Sequence, residues 1–298
     1  MSSRKSIKGI IGVIKLTLKV KLDKYFYISY YSFKKSSIYW INNLMGMISS
    51  IIFICIVYSM WTAVYSNSNS FNYSELNKTL SYVVIVTIIN QVISRNTEME
   101  LGSRVVNGNI SVDLIRPINF SIYLFFSMVG VAFFNFVFSI IPLLLTAILI
   151  FKINILGSFT TLLAFMTSLL LSFILTYIFE FSVGLISFLT TQVFGVSLLK
   201  SSLINILAGL TVPLTFYPEA LQRVFLNLPF QAMYYIPTSI YVGMPYKHNL
   251  IQDFLINLGM CNKIVNLLTE QIIWVTIGAI ISFICWKLAS RKLVIQGG

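Results

Sequence analysis

Glu180 is an ionisable residue inside an apolar run, YIFEFSVGLISF, and it is the first candidate for chemistry in this sequence. A charge at the centre of a membrane-spanning helix costs at least about 2.5 kcal/mol on insertion scales, so such residues are functional candidates. The carboxyl could line a polar path through the membrane, together with Asn90 and Gln91 near the end of another apolar run. Alternatively, a protonated or paired carboxyl could hold two helices together. The sequence leaves both interpretations open.

The longest hydrophilic stretch after the N-terminal region covers residues 95–119 and holds three Arg, two Glu and one Asp. Thr97 precedes Glu98 and Glu100, and this order predicts a short helix with an N-terminal cap and acidic residues in its first turn. Such a helix could dock on a soluble partner. The alternative is a solvated connector whose charges only fix the topology, and the spacing favours neither.

Motifs of known enzyme sites are missing from the sequence. It contains no G-x-x-x-x-G-K-[ST] phosphate loop, no H-E-x-x-H zinc helix, and no Ser or Cys with a plausible His partner. Cys55, Cys261 and Cys285 do not have the spacing of metal ligands, and His248 has no ligand group around it. We therefore expect no enzyme activity, no metal site and no cofactor in this chain.

The composition indicates which elements must position these residues. Of 298 residues, 57% are hydrophobic and 10% are charged, whereas an average soluble domain is about 25% charged. The apolar residues form long blocks near the roughly 20 residues that span a bilayer as a helix. They do not alternate with polar residues as in outer-membrane strands. The sequence therefore predicts an all-α polytopic membrane protein and excludes soluble folds and barrels.

Six apolar blocks predict six transmembrane helices, at residues 38–65, 79–94, 120–151, 156–190, 196–212 and 264–286. A separate segment, residues 1–35, precedes this transmembrane domain of residues 36–298. The segment has apolar residues at helical spacing, which predicts an amphipathic helix in the membrane interface: Ile7, Ile10, Ile11, Ile14 and Leu18.

Basic residues are concentrated at the N-terminus, where nine of the 21 Lys and Arg lie within the first 35 positions. Nucleic-acid binding is one interpretation, but a membrane surface rich in anionic lipid fits so hydrophobic a chain better. With the N-terminus inside, internal segments hold 16 of the 21 basic residues. The positive-inside rule then predicts that both termini are cytoplasmic.

Residues 213–246 are punctuated by prolines and contain an amphipathic fragment, residues 219–228. Leu221, Val224, Phe225 and Leu228 fall on one helical face of this fragment. The pattern predicts a short interfacial or re-entrant helix at the external face between the fifth and sixth spans. The alternative is a seventh, broken span.

Three stretches carry a resemblance to a known family: GNISVDLIRP at residues 108–117, FEFSVGLISF at residues 179–188, and the proline-rich run at residues 209–230. In these stretches, and in their order relative to six spans, the sequence resembles the permease subunits of bacterial ABC-2-type exporters. The resemblance covers almost the whole chain from Tyr25 onward.

The resemblance implies several partners. Such permeases pair with a copy of themselves or with a sister permease in the bacterial cell membrane, and dock on a cytoplasmic ATPase that binds ATP and Mg. It also implies residue roles. The coupling helix would hold Glu98, Glu100, Arg104, Asn107, Asp113 and Arg116, the external gate Pro213, Phe216, Pro218 and Phe230, and the translocation path Glu180, Asn90 and Gln91.

The leading functional hypothesis is therefore the permease subunit of an ATP-driven exporter. Its cargo would be a hydrophobic or amphipathic compound such as an antibiotic, a peptide, a drug or a lipid-like molecule. The alternative is a membrane immunity or scaffold protein that does not transport.

Overall fold

A computed structural model of the chain describes residues 23–67, 73–93, 96–149, 158–190, 193–245, 249–260 and 262–292. All regular secondary structure in these ranges is helical. Five helices are long and apolar enough to cross a membrane: α2 (Trp40–Ser66), α3 (Tyr73–Ile93), α6 (Phe120–Leu149), α7 (Phe159–Gly184) and α12 (Lys263–Ala289). A sixth apolar helix, α8 (Val193–Leu207), has only 15 residues. The predicted all-α polytopic fold is confirmed.

Two spans differ from their predicted boundaries. Helix α3 begins at Tyr73, so Lys78 belongs to this helix and not to a preceding loop. Glu75 lies in its first turn, where the helix dipole favours an acidic side chain. Helix α8 ends at Leu207, earlier than predicted, and Gly209 next to this end takes a left-handed φ of 74°. Glycine is the residue that allows such a helix ending at little cost.

Helix α3 lies at the centre of the bundle and has more buried residues than any other spanning helix. It packs against α2 and α6, while α7 packs against α12. Close packing drives helix association in lipid, because the hydrophobic effect is absent there. Gly278 of α12 illustrates this packing, since an added Cβ would lie 3.3 Å from Ile178 of α7.

Three short helices, α9 (Glu219–Leu226), α10 (Tyr235–Val242) and α11 (Leu250–Asn257), lie between α8 and α12. The predicted helix at residues 219–228 is present as α9, but its packed face differs from the predicted one. Gln222, Phe225 and Leu226 are buried, whereas Leu221 and Val224 are exposed.

Helix α10 was not predicted as a separate element. It is almost entirely buried against α3 and α7. Pro237 lies in its first turn, where a missing backbone N–H costs no helical hydrogen bond.

The predicted amphipathic helix around Ile7 to Leu18 lies outside the described residues. Residues 23–38 form one helix, α1, which runs across the predicted domain boundary at residue 35. It packs closely on α6: Ser29 Oγ donates to the Phe126 carbonyl at 2.8 Å, and Gly130 leaves room for the backbone of Ser29. Four aromatic side chains of α1 stay exposed, namely Phe26, Tyr27, Tyr30 and Tyr31.

Candidate functional site

The hydrophilic stretch after α3 folds into two short helices, α4 (Thr97–Val106) and α5 (Asn109–Ile115). Gly108 forms the turn between them with a φ of 71°, a conformation that favours glycine over residues with a Cβ. Helix α4 packs directly on α7 and α8. Gly102 and Gly184 permit this contact, because an added Cβ would overlap Val193 at the first position and approach the Glu98 backbone to 3.0 Å at the second.

The start of α4 is capped by another helix. The prediction that Thr97 provides the cap is wrong, because Thr97 is already helical and Asn96 is the N-cap residue. Asn96 has a left-handed φ of 51° and makes no capping bond with its own side chain. Instead, the Thr97 backbone N–H donates to Glu180 Oε2 of α7 at 3.0 Å. A carboxylate at this position also interacts favourably with the helix dipole.

Glu180 belongs to a buried ionic group that we call the Lys200 cluster, formed by Glu98, Glu180 and Lys200. Lys200 Nζ of α8 lies 2.8 Å from Glu98 Oε1 and 3.2 Å from Glu180 Oε1. The side chains of Glu98, Glu180 and Lys200 are 0%, 1% and 3% exposed. Ser197 Oγ donates to Glu98 Oε1 at 2.7 Å. Three helices, α4, α7 and α8, therefore meet at one ammonium group.

These contacts describe Glu180 as a paired carboxylate that ties helices together. It lies one turn before the end of α7. Its role in a translocation path stays a prediction. The burial of Glu98 does not agree with a direct contact between this side chain and a partner protein, so Glu98 instead holds α4 in place.

Four of the other predicted coupling residues form a second group, the Arg104 network. Arg104 donates to Asp113 at 2.6 Å and to Glu100 at 2.9 Å, and Arg116 lies 3.2 Å from Asp113. Arg104 also lies over the Tyr123 ring, 5.3 Å from its centroid. Asn107 follows α4 as its C-cap residue and donates to Ser103. The network fixes α5 against α4.

The exposed residues of the two helices include apolar ones beside polar ones such as Ser103 and Asn109. Val106, Val112 and Ile115 are exposed, and Ile115 is 84% exposed. Sequence reasoning missed these residues, because it concentrated on the charges. The apolar residues of NISVDLI fall on several faces of a helix, so they cannot all be buried on one side, and this pattern could have indicated the exposed ones.

The predicted path residues Asn90 and Gln91 lie at the α4 end of α3, in a group separate from the Lys200 cluster. Ser50 Oγ of α2 donates to Gln91 Oε1 at 3.2 Å. Asn135 of α6 donates to the Gln91 backbone carbonyl at 2.9 Å. Gln91 thus connects α2, α3 and α6, and Asn90 beside it is half-buried.

The predicted gate residues contact two different spans, and Phe230 lies next to the residue that precedes Glu180. Phe216 packs on Trp61 of α2 with ring centroids 4.5 Å apart, and Phe230 packs on Phe179 of α7 at 5.3 Å. Pro213 is buried before a 3-10 helix, and Pro218 is the N-cap residue of α9. The segment is thus anchored to two spans, and a gating role stays a prediction.

A second buried carboxylate, Glu270 of α12, was missed by sequence reasoning, although it is an acid within a predicted span. It is 0% exposed and accepts hydrogen bonds from the side-chain amides of Gln231, Asn249 and Gln252. These amides come from the 3-10 helix at Pro229–Ala232 and from the start of α11. Glu270 therefore fastens the short helices to α12, at the end opposite the Lys200 cluster.

An apolar cavity of about 390 Å³ lies between α3, α6 and α7. Its walls are aliphatic and aromatic, and include Ile93, Phe125, Phe133, Met166 and Phe173. Within the described ranges, no group of three or more His, Cys, Asp and Glu is placed to hold a metal ion. The cavity could thus hold an apolar group but offers no ionic ligand.

The chain was also compared with known proteins. Curated proteins give no match. The sequence model of a family described as ABC-2 family transporter protein matches residues 44–297. This range includes the Lys200 cluster, the Arg104 network and Glu270. Because the match covers well over half of the sequence, this chain belongs to the ABC-2 family of transporter proteins.

Proposed function

We propose that this permease subunit of an ABC transporter exports a hydrophobic or amphipathic compound, driven by a separate cytoplasmic ATPase that binds ATP and Mg. Family membership supports the permease assignment. The cargo, the outward direction and the coupling residues are proposals. The observation that carries the coupling role is the attachment of α4 to α7 and α8 through the Lys200 cluster.

This attachment suits a coupling element. A partner that pushes on α4 cannot move it independently of α7 and α8, because separating a buried ion pair costs several kcal/mol. The Arg104 network extends the same unit to α5. A displacement of the α4–α5 pair would therefore be transmitted to two apolar helices, as in rigid-body alternation.

The exposed apolar residues Val106, Val112 and Ile115 support a docking surface on the same unit. Exposed apolar patches on polar segments are typical of protein interaction sites. In the proposed orientation both termini and this surface are cytoplasmic, in the bacterial cell membrane. A second permease, identical or related, would complete the path, with Glu180, Asn90 and Gln91 as its candidate residues.

The apolar cavity between α3, α6 and α7 supports a hydrophobic or amphipathic cargo. Binding pockets for such compounds are lined by apolar and aromatic side chains with few polar groups. The described lining residues agree with this pattern. A cavity of about 390 Å³ would take part of a drug-sized molecule.

Transport can be tested in inside-out membrane vesicles that contain this chain and its cognate ATPase. A panel of fluorescent drugs, hydrophobic peptides and lipid analogues is added with ATP, and accumulation is measured. We expect at least one compound to accumulate with the wild-type ATPase but not with an ATPase whose phosphate-loop Lys is substituted. A complex that confers resistance to a toxic peptide without any ATP-dependent accumulation would instead indicate an immunity protein.

A further inference from the structure

A second cavity, of about 260 Å³, opens between α1, α2, α4 and α6. In contrast to the apolar cavity, its lining is mainly polar: Lys35 and Ser36 from α1, Tyr39 before α2, Asn42 and Asn43 from α2, and Glu100 from α4. We call it the Lys35 cavity. It places one ammonium group and one carboxylate around a polar space to which the transport proposal assigns no ligand, and the carboxylate, Glu100, also belongs to the Arg104 network.

Within the described residues, the lysine and the glutamate of this cavity do not pair with each other. Glu100 accepts a hydrogen bond from Arg104, which in turn binds Asp113. Lys35 is exposed and makes no ion pair within the part of the chain that the structure describes. An anion at Lys35 would therefore meet an available ammonium group, with amide and hydroxyl donors beside it.

The position of the cavity matches the headgroup layer of a bilayer. Helix α1 exposes Phe26, Tyr27, Tyr30 and Tyr31, and Trp40 is exposed at the start of α2. Aromatic side chains of this kind are enriched at the interface between lipid tails and water. The Lys35 cavity lies where α1 meets α2; exposed Tyr39 lines it, and Tyr31 and Trp40 are within five positions of Lys35 along the chain. A lipid headgroup is therefore the ligand most accessible to it.

We propose that the Lys35 cavity binds the headgroup of a zwitterionic aminophospholipid of the phosphatidylethanolamine class. Lys35 contacts the phosphate, supported by the amide of Asn42, and Glu100 accepts hydrogen bonds from the primary ammonium group. Hydrogen bonds in which a partner is ionised are roughly twice as strong as those between neutral groups. The site is independent of the transported cargo, so it does not rest on the export proposal.

Other headgroups satisfy fewer of these groups. Phosphatidylglycerol brings a phosphate but no cation for Glu100. Phosphatidylcholine brings a quaternary ammonium, which has no N–H to donate. Inorganic phosphate engages Lys35 but leaves Glu100 facing a second anion. The cavity therefore predicts a preference among headgroups, whereas a basic surface that binds phosphate non-specifically would show none.

The full-length chain in detergent is titrated with mixed micelles of phosphatidylethanolamine, phosphatidylglycerol or phosphatidylcholine, and with inorganic phosphate. Native mass spectrometry counts retained lipids, and thermal unfolding reports stabilisation. We expect phosphatidylethanolamine to bind most tightly. Lys35→Ala should weaken its binding about ten- to hundredfold, the usual effect of losing a hydrogen bond between charged groups. Glu100→Gln should reduce the preference for phosphatidylethanolamine over phosphatidylglycerol.

Lys34→Ala is the matched control, since Lys34 is exposed on the same helix but does not line the cavity. It should leave lipid binding unchanged, and Lys35→Arg should retain most of it. Equal loss in the Lys34 and Lys35 variants would overturn the proposal. So would equal binding of phosphatidylethanolamine and phosphatidylglycerol by the wild type, or stabilisation by inorganic phosphate of the same size as by lipid.

Discussion

Replacing Lys200 with Met removes the only ammonium group that the described structure places between Glu98 and Glu180. The methionine side chain fills a similar volume but cannot pair with a carboxylate. Two acidic groups that are 0% and 1% exposed then face each other without their cation. We expect α4 to lose its fixed position on α7 and α8, while the rest of the bundle stays folded.

The size of the effect follows from this burial. Removing one partner of a buried ion pair costs about 3–5 kcal/mol, because the remaining charge stays desolvated. At roughly 1.4 kcal/mol for each factor of ten, the population of detached α4 rises by about two to three and a half orders of magnitude. The Thr97 backbone N–H to Glu180 bond remains and limits the detachment to the lower part of this range.

Hydrogen–deuterium exchange measures this detachment without requiring a known cargo. Amide exchange in peptides from α4 depends on the free energy of local opening. We expect α4 to exchange at least about a hundredfold faster in Lys200→Met than in the wild type. Peptides from the middle of α12 should exchange at the same rate in both.

Two variants serve as controls. Lys200→Arg keeps the charge and should leave α4 protected. Lys263→Met removes a lysine at the opposite end of the bundle, where its ammonium donates to the Met244 carbonyl, and should not affect α4. Unchanged exchange of α4 in a folded Lys200→Met protein would refute the role given to the cluster.

Further predictions concern packing, the short helices and the partner. Differential scanning fluorimetry should show that Gly102→Ala lowers the melting temperature by an amount equivalent to about 1–3 kcal/mol, because the new methyl overlaps a valine of α8. In the same assay Gly195→Ala should be neutral or stabilising, because its methyl meets no atom within 4 Å. Glu270→Ala leaves three amide donors without their carboxylate, so limited proteolysis should cut near α11 sooner than in the wild type. Arg104→Ala should cost only about 1 kcal/mol in stability, since the network is partly exposed, but should reduce ATPase co-purification.

The overall fold could be predicted because composition and block length determine it. Long apolar runs in a chain with 10% charged residues leave few alternatives to membrane helices. The boundaries of α3 and α8 do not follow from block length. A helix can extend beyond the apolar run, as α3 does through Lys78, or end before it, as α8 does next to Gly209.

The partners within the site could be predicted only in part. Glu180 was visible as an acid in an apolar run, and the same criterion would have picked out Lys200 and Glu270. The pairing of Lys200 with Glu98 could not be predicted from residue spacing, because 102 positions and several helices separate the two residues along the chain. The orientation of Glu98 toward the interior depends on how α4 rests on α7, which only the tertiary structure defines.

Docking of the α4–α5 pair on an ATPase can be detected by photo-crosslinking, with benzoylphenylalanine placed at Ile115 in cells that express the cognate ATPase. Leu221, an exposed apolar residue at the opposite end of the bundle, is the matched control position. We predict a crosslink to the ATPase from position 115 and none from position 221. An ATPase that co-purifies with the chain but crosslinks only from position 221, or from neither position, would contradict this docking.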